Sequence, residues 1–275
     1  MHELHGFDRF AFTHDGLTRD VLRAGTGPGV VVMPELPGLH PPVLGFARRV
    51  VGIGCTAYLP SLFGTPGRAN SLPYLLSSVS RVCIARELTV FAAGRTSPVV
   101  SWLRALAARA HEECGGPGVG AVGMCFTGGF ALAMLVDDRM LAAVLSQPSL
   151  PVPLGRRRRA DVGLSRTDLA RIRERAAGEA CVLGLRFTGD RAVPAERFAT
   201  LRRELGAGFL AVEIDSSPGN RYGIPGHAHA VLTGYLGEGP DHPTRRALEQ
   251  VLAFLRDQLQ GPADKGSPRP ATPAR

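Results

Sequence analysis

A chain of 275 residues, 44% hydrophobic and 20% charged, can bury one large core or two small ones, which excludes a disordered chain and one that needs covalent staples to fold. Its five cysteines, Cys55, Cys83, Cys114, Cys125 and Cys181, are odd in number, widely spaced and without a C-x-x-C pair, so neither a disulfide framework nor a zinc site is expected. The formal net charge of +8 leaves contact with an acidic partner or a nucleic acid open until the placement of the arginines is considered.

The chain opens Met-His-Glu-Leu-His-Gly-Phe-Asp, with no basic segment and no apolar run. No export signal is read there, and a reducing cytoplasm is the expected location. Polarity is mixed as far as about Gly29, with Phe7, Phe10 and Phe12 alternating as in an edge strand. Val30 to Met33 is a fully apolar strand that runs into Pro34-Glu35-Leu36-Pro37-Gly38-Leu39. An acid locked between prolines at a strand end stands where parallel sheets build their sites. Pro41 to Gly52 predicts a helix with proline in its first turn, Ala57 to Leu59 a strand, and Ser61 to Ala69 a loop. Leu72 to Leu88 is apolar without a clear period and contains Arg81 and Arg86; Val99 to Glu113 predicts a helix.

From Val119 to Val136 a short apolar run with small residues turns at Cys125 into a segment of helix formers that starts at Phe130. A residue on so tight a strand-to-helix turn is pushed out of ordinary backbone geometry, and its side chain stands above the sheet at the positive end of the next helix. A cysteine there has its thiol pKa lowered from a reference of ~8.5. Two other readings fit the same residues. A lone cysteine beside an apolar helix is by default inert core. Gly118-x-Gly120-x-x-Gly123 matches a dinucleotide fingerprint, although these glycines lie before and inside the strand, and Asp137 and Asp138 end the helix rather than the next strand. The charge-free stretch 115–136 is too rich in glycine for a membrane span, so no membrane partner is expected.

Leu141 to Leu145 is a strand that ends in Gln147-Pro148-Ser149. Arg156, Arg157, Arg158, Arg159, Arg166, Arg171, Arg173 and Arg175 follow, around a helix capped by Ser165 with Asp168 three residues on. No aromatic residue is interleaved with them, so a solvated surface is expected and no nucleic-acid partner. Cys181 to Phe187 is a strand ending in Thr188-Gly189-Asp190, Pro194 to Leu205 a helix, and Phe209 to Ile214 a strand. A turn-rich loop then delivers His227 and His229, and Pro243 to Leu259 closes the domain. Residues 261–275 are rich in Pro, Gly and Ser and read as a disordered tail. Strands alternating with helices over 1–260 predict one α/β domain, a mostly parallel sheet covered on both faces.

A nucleophilic thiol needs a base and a group that orients the base. Cys125, Asp190 and then a histidine supply them in chain order, each after a strand. Asp190 also fits an Asx turn, Glu35 a helix-entry charge, and His227 competes with His229. His227 and His229 at i and i+2, with His242 further on, suggest a metal, but no third ligand lies near the pair in sequence, so neither a metal nor a cofactor is expected.

Over most of Val30 to Leu259 the sequence resembles the dienelactone hydrolase family of the α/β-hydrolase fold. The resemblance rests on Glu35, on Gly-Met-Cys-Phe-Thr-Gly-Gly around Cys125, on Gly-Asp-Arg-Ala-Val-Pro at Asp190, and on His-Ala-Val-Leu at His229. It implies that Cys125 is the nucleophile, His229 its general base and acid, Asp190 the orienting carboxylate, and Glu35 a carboxylate that exchanges a proton with the thiol. The backbone N–H groups of Phe126 and Leu36 would form the oxyanion hole. Thr127 stands in place of an elbow glycine, and Thr233 in place of the family arginine four residues beyond the histidine; Arg81 and Arg86 are the candidate anion holders. The expected protein is a monomeric or homodimeric hydrolase of a small ester or lactone acting through an acyl-cysteine. A thioesterase or carboxylesterase, and a catalytically silent binding protein, are the alternatives.

Overall fold

The computed structural model describes residues 2–71, 74, 97–150, 155–177 and 181–261. Arg81, Arg86, Cys83, nearly all of the unphased stretch 72–88 and the tail 262–275 lie outside the described residues.

The strands are β1 (Asp8–His14), β2 (Leu17–Ala24), β3 (Gly29–Met33), β4 (Thr56–Pro60), β5 (Val119–Met124), β6 (Met140–Ser146), β7 (Cys181–Phe187) and β8 (Phe209–Ile214). The helices are α1 (Pro41–Gly52), α2 (Pro98–Cys114), α3 (Gly128–Met134), α4 (Arg156–Arg159), α5 (Arg166–Ala176), α6 (Ala195–Leu205) and α7 (Pro243–Gln260). The strands form one sheet in the order β1-β2-β4-β3-β5-β6-β7-β8. From β4 to β8 every neighbouring pair is parallel, while β2 pairs antiparallel with both β1 and β4.

Period-2 alternation divides each central strand between two cores. Val30 and Val32 face α1 and α7, packing with Val43, Leu44, Val251 and Leu255. Val31 and Met33 face the opposite layer, with Trp102 and Leu103 of α2 and Phe130 of α3. Because both faces are covered, such strands read as unbroken apolar runs rather than as alternating ones.

The stretch before Gly29 differs from its reading as a single edge-like segment. It is a hairpin, β1 to β2, turned at Asp15 and Gly16 with φ of 48° and 75°. Asp-Gly supplies the two positive φ values that a tight hairpin turn requires. The predicted cap on α5 is present, with Ser165 Oγ accepting from the Asp168 N–H at 3.0 Å. Much of the arginine run is paired with acids. Arg159 binds Glu196 at 2.9 Å, Arg171 and Arg175 share Asp138 at 3.0 and 2.7 Å, and Arg173 binds Glu204.

One arginine is a structural anchor. Arg197, in the first turn of α6, is only 2% exposed and its guanidinium donates to backbone carbonyls alone: Asp161 at 2.7 Å, Pro148 at 2.8 Å, Ala192 at 3.1 Å and Arg158 at 3.5 Å. It thereby ties the loops after β6 and β7 to each other. Burial pulls its pKa down to about 10, partly opposed by Asp161 and Asp190. Replacing it with methionine keeps the apolar stem but leaves these carbonyls without their donor. Arg197→Met is expected to lower unfolding stability by about 2–4 kcal/mol, read from the urea midpoint at constant slope.

Candidate active site

Five loops meet along the C-terminal edge of the sheet, one after each of β3, β5, β6, β7 and β8. β3 lies beside β5, β5 beside β6, β6 beside β7 and β7 beside β8, so residues remote in the chain become neighbours. Such an edge is where parallel sheets gather ligand-binding loops.

At the end of β5 the chain reverses at Cys125, which takes a φ of 57°. A one-turn 3-10 helix, Cys125–Thr127, leads directly into α3. The helical segment therefore begins before the predicted Phe130. The turn is so tight that a Cβ on Gly123 would lie 2.1 Å from the Thr127 carbonyl oxygen, and one on Gly128 would lie 2.8 Å from Pro148 Cβ. These positions carry the close approaches, which leaves Thr127 free to bear a side chain. Its buried hydroxyl accepts from the Met124 N–H at 2.8 Å and lies 2.9 Å from the Met124 carbonyl, 3.2 Å from that of Met33 and 3.3 Å from that of Pro34. Thr127 thus clamps the elbow to the end of β3, a role that a glycine could not fill.

The histidine loop after β8 brings His229 to Asp190, with Nδ1 2.6 Å from Oδ2. Asp190 is buried, and its Oδ1 also accepts from the Ala192 N–H at 2.9 Å. Burial by itself lowers the His229 pKa, but the hydrogen bonds and negative charge of Asp190 and Cys125 outweigh it and raise the value to about 10. An imidazole hydrogen-bonded to a carboxylate and beside a thiol can take the thiol proton and hold it. His227 is exposed, and together with Asp190 and Arg191 it lines a cleft of about 720 Å³. His242 caps α7, its Nδ1 2.7 Å from Thr244 Oγ1. Among the described residues no three His, Cys, Asp or Glu side chains are grouped as metal ligands, and no helix is long and apolar enough to cross a membrane.

Glu35 stands in the loop after β3, buried, at the centre of a polar network. Its Oε2 accepts from Gln147 Nε2 at 2.8 Å, and its Oε1 accepts from the Thr233 hydroxyl. Buried His40 places Nε2 3.4 Å from Oε1, and among the described residues neither of its ring nitrogens has a hydrogen-bond partner. Gln147 is wholly buried at a φ of 39°. Its side-chain carbonyl accepts from the Val231 N–H at 3.3 Å and from the Ser146 hydroxyl, while its own N–H donates to the Leu185 carbonyl at 2.8 Å. The Cys125 sulfur also lies beside Ser149, whose Oγ is 3.0 Å away. The carboxylate oxygens of Glu35 thus serve Gln147 and Thr233, and the thiol has a hydroxyl beside it.

Of the residues singled out in the sequence, Cys125, Asp190 and His229 come together at this edge, with Glu35 in the neighbouring loop. Phe126 and Leu36 follow Cys125 and Glu35 directly, at the ends of the adjacent strands β5 and β3. Arg81 and Arg86 fall outside the described residues. Sequence reasoning gave no role to Gln147, Ser149 or Arg197. The one available signal was the polar Gln-Pro-Ser that ends the apolar strand β6, a position where parallel sheets place functional loops.

The sequence profile of the dienelactone hydrolase family matches residues 19–257. Among curated protein sequences there is no significant match. Solved structures share the fold at low identity. A dienelactone hydrolase-like promiscuous phosphotriesterase from metagenomic libraries is 20% identical with a TM-score of 0.58, over 92% of this chain and 98% of that one. A cold-adapted esterase from an Arctic intertidal metagenomic library is 16% identical with a TM-score of 0.55, over 90% and 92%. A dienelactone hydrolase from Anabaena variabilis is 13% identical with a TM-score of 0.57, over 93% and 100%. The eight-stranded sheet and its two helical layers are those of the α/β-hydrolase fold.

A histidine whose folded pKa lies above its unfolded value of about 6.5 contributes stability that is complete below that pH and is lost as pH rises through the folded value. For His229 the window runs from about 6.5 to about 10. The stability difference between wild type and His229→Gln is expected to shrink across that range in urea titrations. In Cys125→Ala one of the two raising partners is gone, so the His229 titration followed by NMR is expected to move down from about 10.

Proposed function

Since the chain belongs to the dienelactone hydrolase family, we propose that it hydrolyses a small ester or lactone through an acyl-Cys125 intermediate, with His229 as general base and acid and Asp190 as its orienting carboxylate. The observation that carries this reading is the position of the His229 imidazole, 2.6 Å from Asp190 and raised in pKa by both Asp190 and Cys125.

In the first step the thiol proton passes to Nε2 of His229, and the thiolate attacks the carbonyl carbon. The N–H groups of Phe126 and Leu36 receive the resulting oxyanion. Collapse of the tetrahedral intermediate breaks the C–O bond, and His229 returns its proton to the leaving oxygen, which in a lactone stays tethered to the acyl chain. A water molecule that then gives its proton to His229 attacks the thioester, releases the acid and restores the thiol. Asp190 holds the imidazole in the tautomer this cycle needs.

Glu35 is assigned a positioning role, linked through Thr233 to the loop that carries His229. Thr233 is neutral and bonded to Glu35, so among the described residues position 233 itself offers no cation where the family arginine would bind a substrate carboxylate. This favours an ester or lactone that carries no carboxylate there, and it fits the esterase named among the structural neighbours. A thioester is the second candidate substrate, because the same acyl-enzyme serves it.

The test is turnover of p-nitrophenyl acetate and of small enol lactones by wild type and Cys125→Ala. The variant is expected to lose at least about a thousandfold in kcat/KM. Intact mass during the first turnover should show one acetyl group, on Cys125. A variant that retains the wild-type rate removes Cys125 from the chemistry.

A further inference from the structure

We propose that Ser149 is a catalytic residue whose hydroxyl donates a hydrogen bond to the Cys125 sulfur and stabilises its thiolate; this rests on the reading of Cys125 as the nucleophile. The two residues are joined twice. Ser149 Oγ is 3.0 Å from Sγ, and the Ser149 N–H donates to the Cys125 carbonyl at 3.1 Å. The serine is 9% exposed, so its hydroxyl is largely removed from competing water.

The segment that presents it, Gln147 to Ser149, is held by several neighbours. The Pro148 carbonyl is fixed by buried Arg197 at 2.8 Å, and Pro148 itself packs so closely on Gly128 that no side chain fits between them. Gln147, one residue earlier, is bonded through its side chain to the loops of Glu35 and of His229 and through its backbone to β7. The hydroxyl is thus brought to the sulfur by the fold rather than by a free rotamer of a mobile loop.

The direction of the hydrogen bond follows from the chemistry. While the thiol is neutral, either atom can donate. Once the sulfur has given its proton to His229, only the hydroxyl carries a hydrogen between the two atoms, and the contact becomes O–H···S⁻. The serine keeps its proton throughout, so no further acid or base is required. A hydrogen bond made to the charged form favours that form. A carboxylate in the same place would do the opposite, since two negative charges in contact disfavour each other. The chain has put Glu35 to other work, with its oxygens on Gln147 and Thr233.

The experiment is the pH dependence of iodoacetamide alkylation at Cys125 in the full chain, from about pH 5 to about pH 10, with the peptide containing Cys125 resolved by mass. Ser149→Ala is expected to raise the midpoint by about one pH unit and to slow alkylation about tenfold on the acid side. Ser149→Thr, which keeps a hydroxyl, should stay within a few tenths of the wild type. An unmoved midpoint in a folded Ser149→Ala overturns the proposal, and so does a Thr variant that behaves like the Ala variant. Should Ser149→Ala fail to fold, the wild-type midpoint decides: a value at or above that of free cysteine, about 8.5, overturns it. Alkylation needs no substrate, so the two readings fail separately. A wild type that hydrolyses no ester yet gives the shift loses the proposed function alone, whereas hydrolysis that depends on Cys125 with an unmoved midpoint removes Ser149 alone.

Discussion

The reversal of the chain at Cys125 is the constraint on which the site depends. A non-glycine residue held at positive φ costs about 1–3 kcal/mol, and it persists only where its surroundings over-determine it. Here the surroundings do so through short, local interactions. The Ser149 N–H holds the Cys125 carbonyl, and the Thr127 hydroxyl takes the Met124 N–H. At about 0.5–1.5 kcal/mol each, two such hydrogen bonds offset a strain of that size. The remaining requirement is steric. Gly123 and Gly128 leave room for Thr127 and Pro148, so strand and helix can meet without a further residue between them.

Around that turn the sheet edge is stitched by buried polar groups. Gln147 is the node, since its amide reaches Glu35 while its carbonyl reaches the backbone at Val231, two residues beyond His229. Thr233 closes the circuit from the histidine loop back to Glu35. In a low-dielectric interior a satisfied network of this kind is rigid, because each group left without its partner would bear the full cost of desolvation. Arg197 does the same from below, with one guanidinium holding the carbonyls of loops that would otherwise move independently. The geometry between the sulfur, the imidazole and the Asp190 carboxylate is inherited from these supports rather than from any contact the three make alone.

The two threonines illustrate how a departure from a family pattern carries its own physics. Thr127 occupies an elbow position where glycine is usual, and the close approach that glycine would serve has moved to Gly123 and Gly128. Thr233 stands where the family resemblance would put an arginine, and its hydroxyl is a partner for Glu35. Neither change disturbs the α/β-hydrolase scaffold, since each is confined to the loops at one edge of the sheet.

The order and type of most of the described elements between Val30 and Leu259, and the succession of cysteine, aspartate and histidine after three different strands, were legible in the sequence because they rest on local patterns: apolar runs for doubly covered strands, a cap at Ser165, glycines around the elbow. The hairpin at Asp15 and Gly16 was missed in the sequence, although that dipeptide supplies the two positive φ values the turn needs. The partners of the side chains were a different matter. That Glu35 would turn to Gln147 and Thr233, that Ser149 would stand beside the sulfur, and that Arg197 would be buried among carbonyls were decided only by the tertiary structure. The sheet interleaves strands by crossover rather than by chain order, so residues 24 to 198 positions apart share one edge, and which hydrogen bonds close there depends on distances that no local pattern encodes.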